Sequence, residues 1–251
     1  MKHLLAARHR GVIERLAASK TLLAFDFDGT LSPIVSDRDA AGMRAKTRAH
    51  FAALCRLYPT AVISGRGRSD AQARLLGLKV KYVIGNHGLE PGTNLKKAKA
   101  ALDEARLAFK QLAARDPGID LEDKVYSLAV HYRRSTHRPK ALRAIRRVIG
   151  ALVVTMRVIS GKSVINLVPA GAPTKGDALL LLRARARAEV ALYVGDDVTD
   201  EDVFRIAEPS GLISVRVGRA KRSAAQYFLR SQREVDALIT RLCDLRRPRS
   251  P

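Results

Sequence analysis

Short apolar runs alternate with helix-like patterns in the first and last thirds of this 251-residue chain. Strands are predicted at 21–26, 60–64, 80–85, 190–195 and 212–217. Helices are predicted near 42–58, 68–77 and 174–188, and from 199 onward. Strands that alternate with helices favour a parallel sheet covered by helices on both faces. We therefore predict an α/β fold with a Rossmann-like parallel-sheet core.

The middle of the chain follows a different pattern. A long helix is predicted near 95–115, two strand-like runs fall within 119–133, and two more at 152–159 and 163–168 follow a helix. Paired strands without an intervening helix indicate hairpins and a mainly antiparallel sheet. We predict a core formed by residues 1–90 and 171–251, with a smaller α+β domain, residues 91–170, inserted between Gly- and Pro-containing joints.

Composition limits the classes of protein that this chain can belong to. Hydrophobic residues make up 47% of the sequence, and no apolar run approaches the roughly 20 residues of a membrane span. The N-terminal residues resemble an amphipathic helix and not a secretory signal. Cys55 and Cys243 lie outside any metal-binding spacing and are expected to be buried thiols. We expect a cytoplasmic protein, without a membrane association, and a monomer.

The net charge of +22 comes from 46 Lys and Arg residues against 24 Asp and Glu. Such a charge steers anionic substrates and can hold nucleic acid without sequence preference. The basic residues recur on predicted helices and do not form one cluster, and no Trp is present to stack on bases. We therefore favour solvated helix faces over a nucleic-acid surface.

Asp26 and Asp28 follow the first core strand, at the end of the sheet where open α/β folds place their active sites. Residues two apart in a strand point to the same side, so these acids repel unless a cation or a shared proton holds them. Gly29 permits a sharp turn, and Thr30 adds a hydroxyl. The combination suits a Mg²⁺-assisted phosphate site; the alternative is a strand that ends in a polar turn.

Two further groups could contact a phosphate. Ser64, Gly65 and Arg66 follow the second core strand, where a hydroxyl and free backbone N–H groups can form a cradle, although such a sequence is more often a plain turn. Lys175 comes directly after Thr174, the predicted N-cap of a helix, and could neutralise a phosphoryl oxygen. Taken alone, a solvated lysine is the simpler interpretation.

Asp196, Asp197 and Asp200 end another apolar strand and could bind a hard cation. The alternative is a helix N-terminus capped by Thr199, where acidic residues are favoured by the helix dipole. Asp196 and Asp197 precede that cap and are not needed by such a helix, which favours the metal site.

The four groups, in this order, resemble the four motifs of the haloacid dehalogenase superfamily, and the insertion resembles its α/β cap subgroup. More narrowly, residues 20–215 resemble the trehalose-6-phosphate phosphatase family, while the last 35 residues contain no distinctive string. The strings that carry the resemblance are DFDGTLSPI (26–34), SGR (64–66), GNHGLE (85–90), EDKVYSLAVHYR (122–133) and GDDVTDEDVF (195–204).

The resemblance implies hydrolysis of trehalose 6-phosphate to trehalose and phosphate through an aspartyl-phosphate. It makes Asp26 the nucleophile and Asp28 the acid and base, with Ser64 and Lys175 on the phosphoryl oxygens. It also implies Mg²⁺ as the cofactor, bound by Asp26, by the backbone carbonyl of Asp28 and by Asp196, with Asp197 or Asp200 in support.

The resemblance further implies that the inserted domain is a cap that recognises the sugar phosphate. The residues expected to bind substrate are Thr30, Gly65, Arg66, Asn86, His87, Glu122, Lys124, His131, Arg133 and Asn166. From the sequence pattern alone, Glu122 and Lys124 would be surface residues, and the polar face that carries His131 and Arg133 would be solvated.

One cap string departs from the family. The family has GKxxxE, whose Glu contacts sugar hydroxyls, whereas this chain has GKSVIN and places Asn166 at that position. Asn keeps hydrogen-bonding capacity but loses the charge. The alternatives are therefore a phosphatase of another glycosyl phosphate, such as mannosyl- or glucosyl-phosphoglycerate or a sugar monophosphate, and, more remotely, a non-catalytic polyanion-binding protein.

Overall fold

The computed structural model describes residues 1–35, 37–92, 95–161, 163–206 and 211–246. The strands are β1 (Lys2–His3), β2 (Thr21–Phe25), β3 (Thr60–Ile63), β4 (Tyr82–Ile84), β5 (Asp120–Asp123), β6 (Leu128–His131), β7 (Met156–Gly161), β8 (Val164–Pro169), β9 (Val190–Gly195), β10 (Leu212–Val217) and β11 (Tyr227–Leu229). The α-helices are α1 (Arg10–Ala18), α2 (Ala45–Leu57), α3 (Arg68–Arg74), α4 (Leu95–Ala101), α5 (Asp103–Arg115), α6 (Arg138–Ala151), α7 (Lys175–Arg185), α8 (Glu201–Phe204) and α9 (Arg233–Arg246).

The chain divides into two units, one containing Met1–Gly88 and the chain from Thr174 onward, the other Leu89–Pro173. The larger unit is built on a seven-stranded sheet in the order β1-β11-β10-β9-β2-β3-β4. Every pairing within it is parallel. From β2 the chain adds β3 and β4 on one side, and from β9 it adds β10 and β11 on the other, so the direction of winding changes between β2 and β9. Open parallel sheets bind their ligands at such a point, beyond the carboxyl ends of the strands.

The central strands β2, β3 and β9 are buried on both faces, which explains why they are nearly continuous apolar runs. Alternate residues of β2 belong to different clusters: Leu23 and Phe25 pack with α1, α2 and α9, whereas Leu22 and Ala24 pack with α7 and α8. The predicted α/β fold with a Rossmann-like core is confirmed.

The smaller unit contains a four-stranded sheet in the order β5-β6-β8-β7, and all its pairings are antiparallel. One face of the sheet packs against α5 and α6 through a cluster that includes Phe109, Val130, Ile145 and Leu167. The long helix predicted at 95–115 is two helices that are separated at Leu102, and the third strand begins at Met156, later than predicted. That this unit recognises the sugar stays a prediction.

The C-terminal segment, which contains no distinctive string, completes the core of the larger unit. β11 joins β1 to β10, and α9 buries Val235, Leu238, Ile239 and Leu242. The Tyr58 hydroxyl donates a hydrogen bond of 2.9 Å to the Leu242 carbonyl, linking the end of α2 to α9. Both cysteines are buried, as expected. In the described part of the chain, no helix combines the length and apolarity needed to cross a membrane.

Truncation of Leu242 tests the contribution of α9 to this core. Leu242 is fully buried, so we expect Leu242→Ala to lower the free energy of unfolding by about 2–5 kcal/mol. Leu245 lies on the same helix but is 43% exposed, so Leu245→Ala should cost less than about 1 kcal/mol. Urea titration followed by circular dichroism measures both values. Equal losses in the two variants would contradict the core role of α9.

Candidate active site

Three carboxylates meet at the carboxyl edge of the parallel sheet. Asp26 follows β2 and Asp196 follows β9, and these two strands are neighbours, with the Asp26 N–H donating to the Val194 carbonyl at 2.8 Å. Asp200 lies in the short 3₁₀ turn after β9. One oxygen from each of Asp26, Asp196 and Asp200 lies within 4.8 Å of the others. The sheet therefore brings together acids that are about 170 residues apart in sequence.

Lys175 is the cation within this acidic cluster. Its Nζ lies 3.0 Å from Asp26 Oδ1 and 2.8 Å from Asp200 Oδ1, and the side chain is 1% exposed. Thr174 caps α7, as predicted, and forms a capping box with Asp177 that fixes where the helix begins. The lysine is thus directed into the site, and the simpler interpretation of a solvated side chain is wrong.

The electrostatics of the cluster favour a bound cation. Burial raises the pKa of Asp26 well above its ordinary value; Lys175 works against this rise, and Asp200, Asp196 and Asp28 add to it. Burial, with repulsion from Asp200 and Asp197, also raises the pKa of Asp196 to about 7. Carboxylates that are destabilised by burial and by one another gain from a nearby positive charge. The oxygen donors therefore fit a hard divalent cation.

Lys175 remains charged in this environment. Burial alone would lower the pKa of its ammonium group, but Asp200 and Asp26 outweigh that effect and raise the pKa above its ordinary value. The cluster therefore contains one fixed positive charge among three acids.

Asp200 and Asp197 have different positions, which the sequence pattern did not separate. Asp200 is fully buried and belongs to the cluster, whereas Asp197 is exposed and is the N-cap of the turn that follows β9. The Asp197 N–H donates to Asp200 Oδ2 at 2.9 Å. The cap is thus Asp197 and not the predicted Thr199, so the helical turn does use one of the two acids that precede Thr199.

Tyr193 contacts the cluster from within β9 and was not among the predicted site residues. Its hydroxyl donates to Asp200 Oδ1 at 2.7 Å, and the side chain is fully buried. A tyrosine in a buried strand needs a partner for its hydroxyl, and this rule is the signal that could have identified it.

Gly29 permits the turn after β2 to approach Asp196. Its φ is +80°, and a Cβ at this position would lie 2.1 Å from Asp196 Oδ2. The next residue, Thr30, donates from its hydroxyl to Asp196 Oδ1 at 3.4 Å. Only glycine fits both the left-handed backbone and the close approach.

The turns after β3 and β4 interlock beside the cluster. The Arg66 N–H donates to the Ser64 hydroxyl at 3.1 Å, the Asn86 N–H donates to the Arg66 carbonyl at 2.7 Å, and the His87 N–H donates to the Ser64 carbonyl at 3.0 Å. A Cβ on Gly65 would lie 2.4 Å from the His87 ring. Ser64, Gly65, Arg66, Asn86 and His87, predicted from two separate strings, are therefore neighbours.

Asp28 is held by Arg66 and not by the acidic cluster. Arg66 Nε donates to Asp28 Oδ2 at 2.7 Å, and Nη2 donates to Oδ1 at 2.8 Å. The expectation that Asp26 and Asp28 point to one place is wrong, because β2 ends at Phe25 and the chain has already turned at Asp28. The guanidinium that was expected to add charge to a phosphate cradle is bonded to carboxylates.

The predicted residues on the strands of the smaller unit, Glu122, His131 and Asn166, share the sheet face opposite its helices. Glu122, Ala129 and Asn166 are cross-strand neighbours on adjacent strands. Glu122 Oε2 lies 3.1 Å from His131 Nε2 and 3.9 Å from Lys124 Nζ. Lys124 and Arg133 lie beyond the ends of β5 and β6, and Arg133 is exposed. Lys162, in the string that contains Asn166, lies outside the described residues.

The sequence pattern of the trehalose-phosphatase family matches residues 24–233 of this chain. The chain belongs to this family. A probable trehalose-phosphate phosphatase 4 of Oryza sativa is 30% identical over 98% of the chain and 70% of the plant protein. The trehalose-phosphate phosphatase of Mycobacterium ulcerans is 34% identical over 90% of the chain, which spans only 62% of that relative's length.

Solved structures agree with the fold of this trehalose-phosphatase family member. The C-terminal domain of Candida albicans trehalose-6-phosphate phosphatase superposes with a TM-score of 0.79 at 23% identity, over 94% of this chain and 96% of that domain. Family and fold thus confirm the predicted resemblance.

Substitution of Gly29 tests the close approach to Asp196. We expect Gly29→Ala to lower the free energy of unfolding by about 1–3 kcal/mol, because the methyl group meets the Asp196 carboxylate in a backbone conformation that alanine disfavours. Gly42→Ala is the control, since its Cβ would have no atom within 4 Å. Thermal and urea unfolding measure both. A neutral Gly29→Ala variant would show that the turn does not require glycine.

Proposed function

We propose that this chain is a Mg²⁺-dependent phosphatase that hydrolyses trehalose 6-phosphate to trehalose and phosphate, a step of trehalose biosynthesis. The observation that carries the proposal is the buried cluster in which Lys175 lies between Asp26 and Asp200, with Asp196 beside them. The family match over residues 24–233 and the names of the relatives support the substrate.

In the first step of the proposed reaction, a carboxylate oxygen of Asp26 attacks phosphorus and forms an aspartyl-phosphate. The bond from phosphorus to the sugar oxygen breaks, and Asp28 gives that oxygen a proton, so that trehalose leaves as a neutral alcohol. Asp28 then takes a proton from water, which attacks phosphorus and breaks the bond to Asp26. Phosphate leaves, and both acids return to their starting states.

Mg²⁺ would be held by Asp26, by the Asp28 backbone carbonyl and by Asp196, with Asp200 in support. When bound, it supplies positive charge close to the phosphoryl oxygens, where negative charge builds up during transfer. The exposed Asp197 would support the site through its N–H to Asp200 and not as a direct ligand.

The phosphoryl oxygens would be held by Lys175, by the Ser64 hydroxyl and by backbone N–H groups near Thr30 and Gly65. Sugar contacts are assigned to the turn after β4 and to the smaller unit. The residues assigned to them are Asn86, His87, Glu122, Lys124, His131, Arg133 and Asn166. A cytoplasmic location and a monomeric state stay predictions.

A second candidate retains this chemistry and changes the sugar. It is favoured by Asn166, which lies in the same cross-strand row as Glu122, at the position where the family places a glutamate. A panel of sugar phosphates, assayed for phosphate release with Mg²⁺, decides between the two. Preference for a glycosyl-phosphoglycerate or a sugar monophosphate would replace trehalose 6-phosphate as the substrate.

Asp26→Asn tests the proposed nucleophile. We expect phosphate release from trehalose 6-phosphate to fall by at least about 1,000-fold, because an amide does not attack phosphorus. Loss of the nucleophile removes most of the rate enhancement of an enzyme that acts through a covalent intermediate. The circular dichroism spectrum should be unchanged. Asp244→Asn, an exposed acid on α9, is the control and should have full activity. Undiminished turnover by Asp26→Asn would contradict the assignment.

Asn166→Glu tests whether this position reads the sugar. A charged acceptor binds hydroxyls more tightly than a neutral one by about 1 kcal/mol, so we expect kcat/KM for trehalose 6-phosphate to rise about fivefold. Kinetic assays of Asn166→Gln, which has the length without the charge, and of Asn166→Asp, which has the charge without the length, separate the two contributions. Identical kinetics in all three variants would place Asn166 outside the sugar site.

A further inference from the structure

The guanidinium of Arg66 has acceptors on all three of its nitrogens. Nε and Nη2 form a fork on the two oxygens of Asp28, Nη1 donates to Asp70 Oδ2 at 2.7 Å, and Nη2 also donates to the Arg38 carbonyl at 2.9 Å. The Arg66 side chain is only 10% exposed. Its donors are therefore aimed at protein acceptors and not at a phosphate.

A second arginine braces this arrangement. Asp70 and Arg74 lie one turn apart on α3, and Arg74 Nε donates to Asp70 Oδ1 at 3.0 Å. Arg74 also donates to the carbonyls of Asp39 and Ala41, in the segment that contains Arg38. The linked ion pairs of Asp28, Arg66, Asp70 and Arg74 thus connect the carboxylate of Asp28 to α3 and to the loop that contains Arg38.

Among the described residues, the hydrogen bonds to the Asp28 carboxylate come from Arg66. The Asp28 side chain is 41% exposed, and an exposed aspartate is otherwise free to rotate. A bidentate fork fixes both the position and the plane of a carboxylate. Each oxygen accepts one bond from Arg66 and retains a second lone pair, which leaves the group able to exchange a proton.

We propose that Arg66 is a positioning residue for the reaction: it orients the Asp28 carboxylate for proton exchange with the leaving sugar oxygen and with water. This inference rests on the proposed function. It replaces the expected role of Arg66 as a phosphate contact. Arg66 touches neither the reacting phosphorus nor the leaving oxygen in this role and acts only through Asp28.

The chemistry of the leaving group provides a selective test. A sugar alkoxide leaves only if it is protonated as the phosphorus–oxygen bond breaks, whereas 4-nitrophenolate leaves without a proton. The ratio kcat/KM reports the steps up to departure of this group, before water attacks. A misplaced Asp28 should therefore lower kcat/KM for the sugar phosphate and spare it for 4-nitrophenyl phosphate.

The test variant is Arg66→Lys, which retains a positive charge and loses the fork. We expect kcat/KM for trehalose 6-phosphate, or for the best substrate of the panel, to fall about 10- to 100-fold. For 4-nitrophenyl phosphate the fall should be less than about threefold, and inhibition by inorganic phosphate should be unchanged. Asp28→Asn should give the same selectivity, and the double variant should be no worse than Asp28→Asn alone.

Arg10→Lys is the control, because it makes the same replacement at an exposed arginine of a separate ion pair, Arg10 with Glu14 on α1. It should affect both substrates equally and by less than about threefold. If Arg66→Lys does not fold, Asp70→Asn is the deciding variant. It weakens the contact between Asp70 and Arg66 Nη1 and retains the two hydrogen bonds from Arg66 to Asp28. We then expect a loss of about threefold, confined to the sugar phosphate.

Three results would overturn the inference: equal losses for both substrates, additive losses in the double variant, or weaker inhibition by phosphate in Arg66→Lys. The last would return Arg66 to direct phosphate binding. Failure of the proposed function has a different signature, since the unaltered protein would then release phosphate from neither substrate.

Discussion

A buried lysine between two buried aspartates is the interaction on which the candidate site depends. Removing such charges from water costs several kcal/mol for each ion, and the cost is recovered only when partners are close and well placed. Lys175 meets this condition with distances of 3.0 and 2.8 Å to Asp26 and Asp200. These two contacts therefore require fixed relative positions for the end of β2, the turn after β9 and the start of α7.

The parallel sheet fixes the relative positions of the strand ends that carry these acids. In a parallel sheet all strand ends of one kind lie on one edge, so a residue after β2 and a residue after β9 meet when the strands are neighbours. The pairing of Phe25 with Val194 places Asp26 and Asp196 in this relation. Tyr193 supports the site from inside the same strand. The acidic cluster therefore depends directly on the fold, because its acids follow core strands of the sheet.

The sequence predicted the features that depend on hydrophobic periodicity and on the order of motifs along the chain. It missed the features that depend on which side chains pair in three dimensions. The strands at 190–195 and 212–217 have the predicted bounds because each is a short run rich in β-branched and apolar residues. β1 and β11 are two and three residues long, too short for any period to be recognised. That Arg66 would bond to Asp28 depends on where two distant turns meet, which no local pattern encodes. The same holds for Asp200, which differs from Asp197 in its burial and in its contacts with Lys175 and Tyr193.

The two aspartates of the first motif illustrate how environment can assign roles to identical side chains. Asp26 is buried and paired with a lysine, whose ammonium contacts Oδ1 as a point charge. Asp28 is 41% exposed and held by an arginine fork, which fixes its plane and leaves it open to water. In the proposed reaction a nucleophile needs a fixed oxygen in a dry site, and an acid–base group needs access to a leaving oxygen and then to water. The two acids have identical side chains, so their burial and the cation that each contacts are what would separate these roles.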